Sequence, residues 1–436
     1  MLEGIVGIGV LAILVILGVH WGLSLGLVGF LGLVVVAGSW ETGLGVLLTT
    51  PYHSAADFTL TVLPLFVLMG MFTLHGGISE QAFESVQKWI GRLPGSLALA
   101  TVWGCVAFGA ASGSALAAAS VFTKVSLPQM RDVGYDKRFS CGVIASAAII
   151  SVIIPPSILF VIYGVLVEVS IGTLFIAGIL PGLLLAILLT AGTLVIAARN
   201  PSLAPAITTR VLWKERIIAL GGLWPVALLI ILVLGGIYSG VFTPTEAGAT
   251  GAFGTFVIAL ARRRLSWDKL RTSLVETVEF TATLFFILVG ALIFSRFLAI
   301  SGFTSQLVEV VVGLGVSRMA LIAILMVIYL ILGCFMDAAV MMILTLPIIF
   351  PVIEGLGFNP IWFGVILLVV LEAGLLTPPF GLNLFVVKAA AGPDVSVGDV
   401  VRGSFPFLIM VLITLVFLIA FPQISLFLPG IMLGVK

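Results

Sequence analysis

Charge is what this sequence has least of. Only 9% of its 436 residues are Asp, Glu, Lys or Arg, against 61% hydrophobic residues, and the mean hydropathy is +1.33. A soluble globular domain carries roughly 25% charged residues. So little charge cannot cover a body of this size in water, and the medium is lipid. A formal net charge of +1 argues against nucleic acid or any strongly charged partner surface. Cysteine and histidine are equally scarce, at three each. Cys105, Cys141 and Cys334 lie far apart in apolar runs without a CxxC, so neither a disulfide framework nor a zinc site is expected. They read as small buried core thiols. His20, His53 and His75 show no ligand spacing. No nucleotide-binding loop occurs, which argues against ATP-driven pumping by this chain. A paired Asp–Asp, a Ser–His or a His-plus-Glu zinc set within the apolar runs is missing too, so no intramembrane enzyme is expected. Continuous polar stripes that would line a channel are also missing. The first residues lack a basic n-region and a small-residue cleavage site, and read as a retained first span.

What the sequence has in abundance is apolar runs of span length. A bilayer core of about 30 Å needs about 20 apolar residues per helix. Candidate spans are 4–19, 22–39, 58–75, 139–165, 171–198, 217–237, 245–261, 277–299, 360–388 and 404–430. Stretches 42–57, 79–93 and 266–276 have room for interfacial amphipathic helices. With no long hydrophilic segment there is no soluble domain, and a soluble partner must be a separate chain.

The basic residues fall in clusters: Lys88 and Arg92; Lys124, Arg131, Lys137 and Arg138; Arg199, Arg210, Lys214 and Arg216; Arg262, Arg263, Arg264, Lys269 and Arg271; then Lys388 and Arg402. Excess Lys and Arg mark cytoplasmic loops. The loops at 88–92 and 124–138 then share a side, although an apolar stretch separates them. Residues 95–123 are therefore expected to enter and return as a re-entrant hairpin, with Gly109–Ser114 at its tip. A second hairpin, 317–352, has flanks nearly free of basic residues except Arg318.

Self-comparison explains the pair. LFVLMG (65–70) recurs as LFFILVG (284–290), and GGISEQ (76–81) as SGFTSQ (301–306). Pro128 maps onto Pro351, Pro155-Pro156 onto Pro378-Pro379, and Pro181 onto Pro406, all at offsets of 220 to 225. Three spans, 171–198, 217–237 and 245–261, lie between the Pro-broken span of the first copy and the leading span of the second, and an odd number inverts the second copy. The expected fold is an all-α polytopic membrane protein of two inverted-topology repeats, each with a hairpin and a Pro-broken span. N-terminal spans and an interfacial helix occupy 1–57, repeat 1 is 58–198, connecting spans fill 199–276, and repeat 2 is 277–430. Such repeats place transport sites at the bilayer midplane.

Each proline pair removes two N–H donors and forces the chain out of helix. The freed carbonyls must be satisfied by protein, water or a cation. Ser157 and Thr377 add hydroxyls, and Gly113, Gly333 and Gly381 allow close backbone approach. The candidate Na⁺ ligands are Ser112, Gly113, Ser114, Pro155 and Ser157 in the first copy. In the second they are Gly333, Asp337, Thr377, Pro379 and Gly381. Ser114 maps onto Asp337, so the two tips offer one neutral and one anionic ligand. Charges at membrane depth default to function. Arg296 is either a snorkelling anchor or a fork for a carboxylate, and Glu372 either structural or functional. Glu246, beside Thr243 and Pro244, reads as part of a helix cap.

PLFVLMG (64–70), GAASGSALA (109–117), IPPS (154–157), GGIYSGVFTPTEAGA (235–249) and LLTPPFGLNLF (375–385) resemble the large membrane subunit, DctM type, of tripartite ATP-independent periplasmic transporters. The resemblance runs nearly end to end. It implies an elevator-type, ion-transporter-superfamily-like carrier in the bacterial inner membrane, driven by a Na⁺ gradient and not an enzyme. It further implies a small four-span (Q-type) membrane subunit, a soluble periplasmic (P-type) binding protein and an organic-acid substrate. Ser112, Ser114, Ser157, Arg296 and Asn383 are then the expected substrate residues. The alternative is a two-hairpin carrier, such as a divalent-anion/Na⁺ symporter, working without a binding protein.

Overall fold

Lipid offers no partners for backbone N–H and C=O groups, so apolar runs of this kind close their hydrogen bonds within helices. The computed structural model describes residues 2–206, 212–313 and 315–433, and Arg210 lies outside them. It is 82% helical, without a strand among the described residues.

The chain opens with α1 (Leu2–Ile16), α2 (Trp21–Ala37) and α3 (Trp40–Ala56), then a 3₁₀ turn at Phe58–Thr61 and α4 (Val62–His75). In α5 (Ile78–Ile90) Ile78, Ala82 and Phe83 are buried while Glu80, Glu84 and Lys88 stay exposed, an amphipathic pattern. Next come α6 (Ser96–Ser112), α7 (Ala115–Asp132), α8 (Lys137–Ala148), α9 (Ile150–Ile153), α10 (Ile158–Val167) and α11 (Ile171–Arg199). The connecting region holds α12 (Trp213–Leu220), α13 (Trp224–Ile230), a π turn at Ile231–Gly235, α14 (Gly236–Tyr238) and α15 (Pro244–Ala261). The second half is α16 (Trp267–Ile300), α17 (Phe303–Gly313), α18 (Arg318–Gly333), α19 (Ala338–Gly355), α20 (Pro360–Gly374), α21 (Leu382–Ala391), α22 (Val397–Ala420) and α23 (Gln423–Leu433).

Helices α4 to α11 and α16 to α22 follow one plan. Pro128 lies inside α7 and Pro351 inside α19; Pro181 lies inside α11 and Pro406 inside α22. Asp136 caps α8 by accepting from the Arg138 and Phe139 N–H groups, and Asn359 caps α20 by accepting from Ile361 and Trp362. Both proline pairs are joined by cis peptides. The copies interlock by exchange: α7 packs on α21 and α10 on α19, while α8 packs on α22 and α11 on α20. Close approach of α8 and α22 needs small residues, and Gly142 meets the backbone of Gly403. One end of this joint is ionic. Arg131 pairs with Asp394 at 3.0 Å, and Asp399 holds Lys137 at 3.0 Å and Arg138 at 2.9 Å. In the other half of the exchange the tie is neutral, Tyr163 Oη donating to the Pro360 carbonyl at 2.6 Å. Around this body, α2 and α3 pack on α16, and α4 on α15.

Among the described residues five helices are long and apolar enough to cross a membrane: Phe58–His75, Ile171–Arg199, Trp267–Ile300, Ala338–Gly355 and Val397–Ala420. Two helix pairs, Lys137–Ile153 with Ile158–Val167 and Trp213–Leu220 with Trp224–Tyr238, reach that length and hydropathy only together, across bends of 45° and 42°. Several expected boundaries move. Residues 266–276 do not form a separate interfacial helix, and the expected boundary at 276–277 falls inside α16. Ser266 caps a helix that meets neither Pro nor Gly until Gly290, so nothing stops it. The second arm of the first hairpin continues past 123 to Asp132, and the Thr123 and Ser126 hydroxyls are satisfied inside it by donating to the Ala119 and Phe122 carbonyls. The expected span 217–237 bends near Gly221–Leu223, and 404–430 is interrupted at Phe421–Pro422.

Candidate functional site

The first hairpin closes at one residue. Gly113 takes φ +64° and donates its N–H to the Gly109 carbonyl at 3.1 Å, ending α6. Ser114 then starts α7, its Oγ accepting from the Ala117 N–H at 3.3 Å. Ser112 Oγ accepts from the Ser114 N–H at 3.4 Å. Helix α4 braces this tip: the Thr73 hydroxyl reaches the Ala111 carbonyl at 3.0 Å, and a Cβ at Gly70 would lie 3.0 Å from the Ser112 carbonyl oxygen.

The tip rests on the break between α9 and α10. Gly113 faces the Pro156 carbonyl, and a Cβ there would sit 3.2 Å from Ser157 Cα and from the Ile158 nitrogen. One turn back, a Cβ on Gly109 would fall 2.6 Å from Ser151 Cα. Ser151 Oγ donates to the Cys105 carbonyl at 2.9 Å, and buried Ser157 caps α10 by accepting from the Phe160 N–H at 3.3 Å. The carbonyls of Ser151 and Val152 face prolines where their i+4 donors would be. Ser112, Gly113, Ser114, Pro155 and Ser157 thus share one locus. The break lies near the middle of 137–167, and the tip touches the chain there.

The second copy repeats the arrangement with different side chains. Gly333 ends α18 against Gly374, where a Cβ would lie 2.6 Å from Gly374 Cα and 3.5 Å from the Leu371 carbonyl oxygen. Asp337 starts α19, accepting from the Ala339 N–H at 2.9 Å, as Ser114 starts α7. In the break, Thr377 Oγ1 donates to the Ala373 carbonyl at 3.0 Å, and a Cβ on Gly381 would press on the Leu375 and Thr377 carbonyls. Two polar side chains beside the break are buried without partners: Glu372 through Oε2, and Asn383 through both amide atoms. Buried polar atoms are rarely left so. The breaks differ in exposure. Residues 150–158 are buried throughout, whereas Pro378, Pro379 and Phe380 are exposed.

Other expected residues fall outside these two loci. Arg296 is exposed near the end of α16 and makes no hydrogen bond or ion pair among the described residues. Glu246 completes a capping box, its carboxylate accepting from the Thr243 N–H at 2.8 Å. His75 pairs with Glu276 on α16 at 2.8 Å. Sequence reasoning missed Thr73 and Gly374. Gly374 was reachable, because the offset that joins the proline pairs puts it opposite Ser151; Thr73 carried no signal.

Among the described residues no three His, Cys, Asp or Glu side chains gather at a metal-binding distance. The ligand atoms at both loci are hydroxyl and backbone carbonyl oxygens, with the Asp337 and Glu372 carboxylates and the Asn383 amide at the second, a set suited to a hard cation.

Residues 8–424 match the family described as tripartite ATP-independent periplasmic transporter, DctM component. A C4-dicarboxylate large permease of Pseudomonas aeruginosa is 35% identical over 93% of this chain and 94% of its own length. A sialic acid large permease of Vibrio cholerae is 32% identical over 87% of this chain and 88% of its own. The isethionate permease DctMQ of Oleidesulfovibrio alaskensis is 32% identical over 97% of this chain, which spans 66% of that longer protein. Among solved structures, the YdaH transporter of Alcanivorax borkumensis shares the fold, with a TM-score of 0.61 at 15% identity over 87% of this chain and 89% of its own. Matched over nearly its whole length, the chain belongs to the DctM component family of tripartite ATP-independent periplasmic transporters, and is a multi-pass inner-membrane permease rather than an enzyme.

Proposed function

We propose that this permease carries out Na⁺-coupled secondary uptake of a small organic acid. The observation behind this reading is the duplicated seating of a hairpin tip on a broken helix, with oxygen donors and close glycine packing on both sides. In the first locus Ser112, Gly113, Ser114, Pro155 and Ser157 would hold one Na⁺; in the second Gly333, Asp337, Thr377, Pro379 and Gly381 would hold another. A cation there joins tip and break and so shapes the surface that the substrate meets. Ser112, Ser114, Ser157, Arg296 and Asn383 are the substrate candidates, and unpartnered Asn383 brings both a donor and an acceptor. The interlocked hairpins and broken helices would move as one body against α1 to α4, α15 and α16, an elevator motion.

A four-span Q-type subunit and a P-type periplasmic binding protein complete the proposed system. The name and greater length of the DctMQ relative favour the first, and the family description favours the second. The test is uptake in vesicles holding both partners, with Na⁺ replaced by K⁺ at fixed pH. Uptake should vanish in K⁺; undiminished uptake would refute Na⁺ coupling and point to protons carried by Asp337 or Glu372. Concentrative uptake by this chain alone would instead favour a single-component symporter.

A further inference from the structure

The two loci depart from symmetry at the positions of their serines. At the offset that joins the proline pairs, Ser112 corresponds to Phe335 and Ser157 to Phe380. The serines are buried, but Phe335 is 61% exposed and Phe380 56%. The two rings meet across the gap between hairpin tip and break, centroids 5.9 Å apart and planes inclined at 49°. Irregular backbone at membrane depth is tolerated only within protein or along a water-filled cavity, never against lipid. The exposed Pro378–Phe380 segment therefore calls for water or another protein surface beside it rather than lipid, and the aromatic pair is exposed at the same place.

Resting on the organic-acid reading above, we propose that Phe335 and Phe380 form an aromatic clamp that selects carboxylates with an apolar body, such as aryl-substituted acids, over small hydrophilic dicarboxylates. Ring faces carry negative quadrupole density. A carboxylate is repelled there, whereas an aryl group stacks. The substrate then lies with its apolar end on the second tip and its carboxylate pointed away, toward the hydroxyls of the first. A dicarboxylate would have to place one charge against the clamp.

The test uses the full chain in nanodiscs with saturating Na⁺ and radiolabelled phenylacetate, succinate and acetate as probes. Phenylacetate should bind at least tenfold more tightly than either other acid, the scale of discrimination an apolar pocket gives. In the Phe335→Ser, Phe380→Ser double variant phenylacetate should weaken at least tenfold and acetate stay unchanged. A Phe335→Leu, Phe380→Leu pair, which keeps apolar bulk, should retain part of the preference and guards against a serine variant that fails to fold. Succinate binding as tightly as phenylacetate to the unmodified chain overturns the clamp alone. Equal weakening of all three acids in the variants also overturns it, and makes the pair a packing contact with the surrounding helices. No binding of any of the three overturns both the clamp and the organic-acid reading.

Discussion

One added carbon at Gly333 tests the seating of the second hairpin directly. A Cβ there would lie 2.6 Å from Gly374 Cα and 3.1 Å from its carbonyl carbon. Non-bonded carbons rest at about 3.5–4.0 Å, so Gly333→Ala must part α18 from α20 by roughly 1 Å. The obstacle is backbone, and no rotamer change relieves it. Overpacking of this kind costs about 1–3 kcal/mol. If a bound Na⁺ needs the closed tip, that cost appears as a loss of Na⁺ affinity of roughly fivefold to over a hundredfold, at about tenfold per 1.4 kcal/mol. The assay is thermal unfolding of the purified chain against Na⁺ at constant ionic strength. Gly333→Ala should lower Tm in K⁺ and move the Na⁺ midpoint upward.

Two companions calibrate that result. Gly109→Ala makes the matching clash in the first repeat, 2.6 Å from Ser151 Cα, and should behave alike. Gly9→Ala, with nothing within 4 Å of its Cβ, should change neither quantity. An unaltered Tm for Gly333→Ala would refute the packing argument. A lowered Tm with an unmoved Na⁺ midpoint would keep the packing and refute the ion site.

Three further outcomes follow from the same geometry. Ser157→Ala removes the cap of α10, worth about 1 kcal/mol, and should also remove the first locus's share of the Na⁺-dependent stabilisation; a lower Tm with that stabilisation undiminished would leave Ser157 a cap only. Arg296→Lys should nearly abolish organic-acid uptake at unchanged Tm, because an ammonium cannot replace a bidentate fork; near-normal uptake would make exposed Arg296 an interfacial anchor. In a cysteine-free background, Ile90→Cys and Val133→Cys should label from the cytoplasm, and Ser305→Cys and Glu354→Cys from the other side; labelling of the first two from opposite faces would break the re-entrant hairpin and with it the inversion.

Much of the architecture was legible because it is written in backbone chemistry. A proline pair lacks two N–H donors wherever it occurs, so 155–156 and 378–379 announce broken helices without any knowledge of packing. The caps Asp136 and Asn359 carry the same kind of local signal. Hydropathy was the weaker guide. It measures side chains, whereas a helix ends where its backbone is interrupted. Polar residues at 123–132 and 266–276 therefore looked like ends although neither α7 nor α16 stops there. Contacts between distant segments carried less signal still. Thr73 meets Ala111 only because α4 crosses the hairpin tip, and no pattern along the chain places it there.

The departures from the repeat carry a different kind of information from the repeat itself. Where the copies agree, at the proline pairs, the caps and the small residues at 109 and 333, the shared demand is geometric: a tip must reach a break. Where they differ, the demand is chemical. Ser114 and Asp337 occupy the same capping position, and either oxygen satisfies a helix start. Capping alone therefore does not call for a charge at membrane depth, and the carboxylate needs another reason to be there. The same logic applies to Ser112 and Ser157 against Phe335 and Phe380. Geometry would accept a small residue at all four positions, yet one copy presents hydroxyls and the other exposed rings. In the proposed clamp the two loci would act as unlike walls, and an asymmetric molecule with a charged end and an apolar end is what unlike walls can orient.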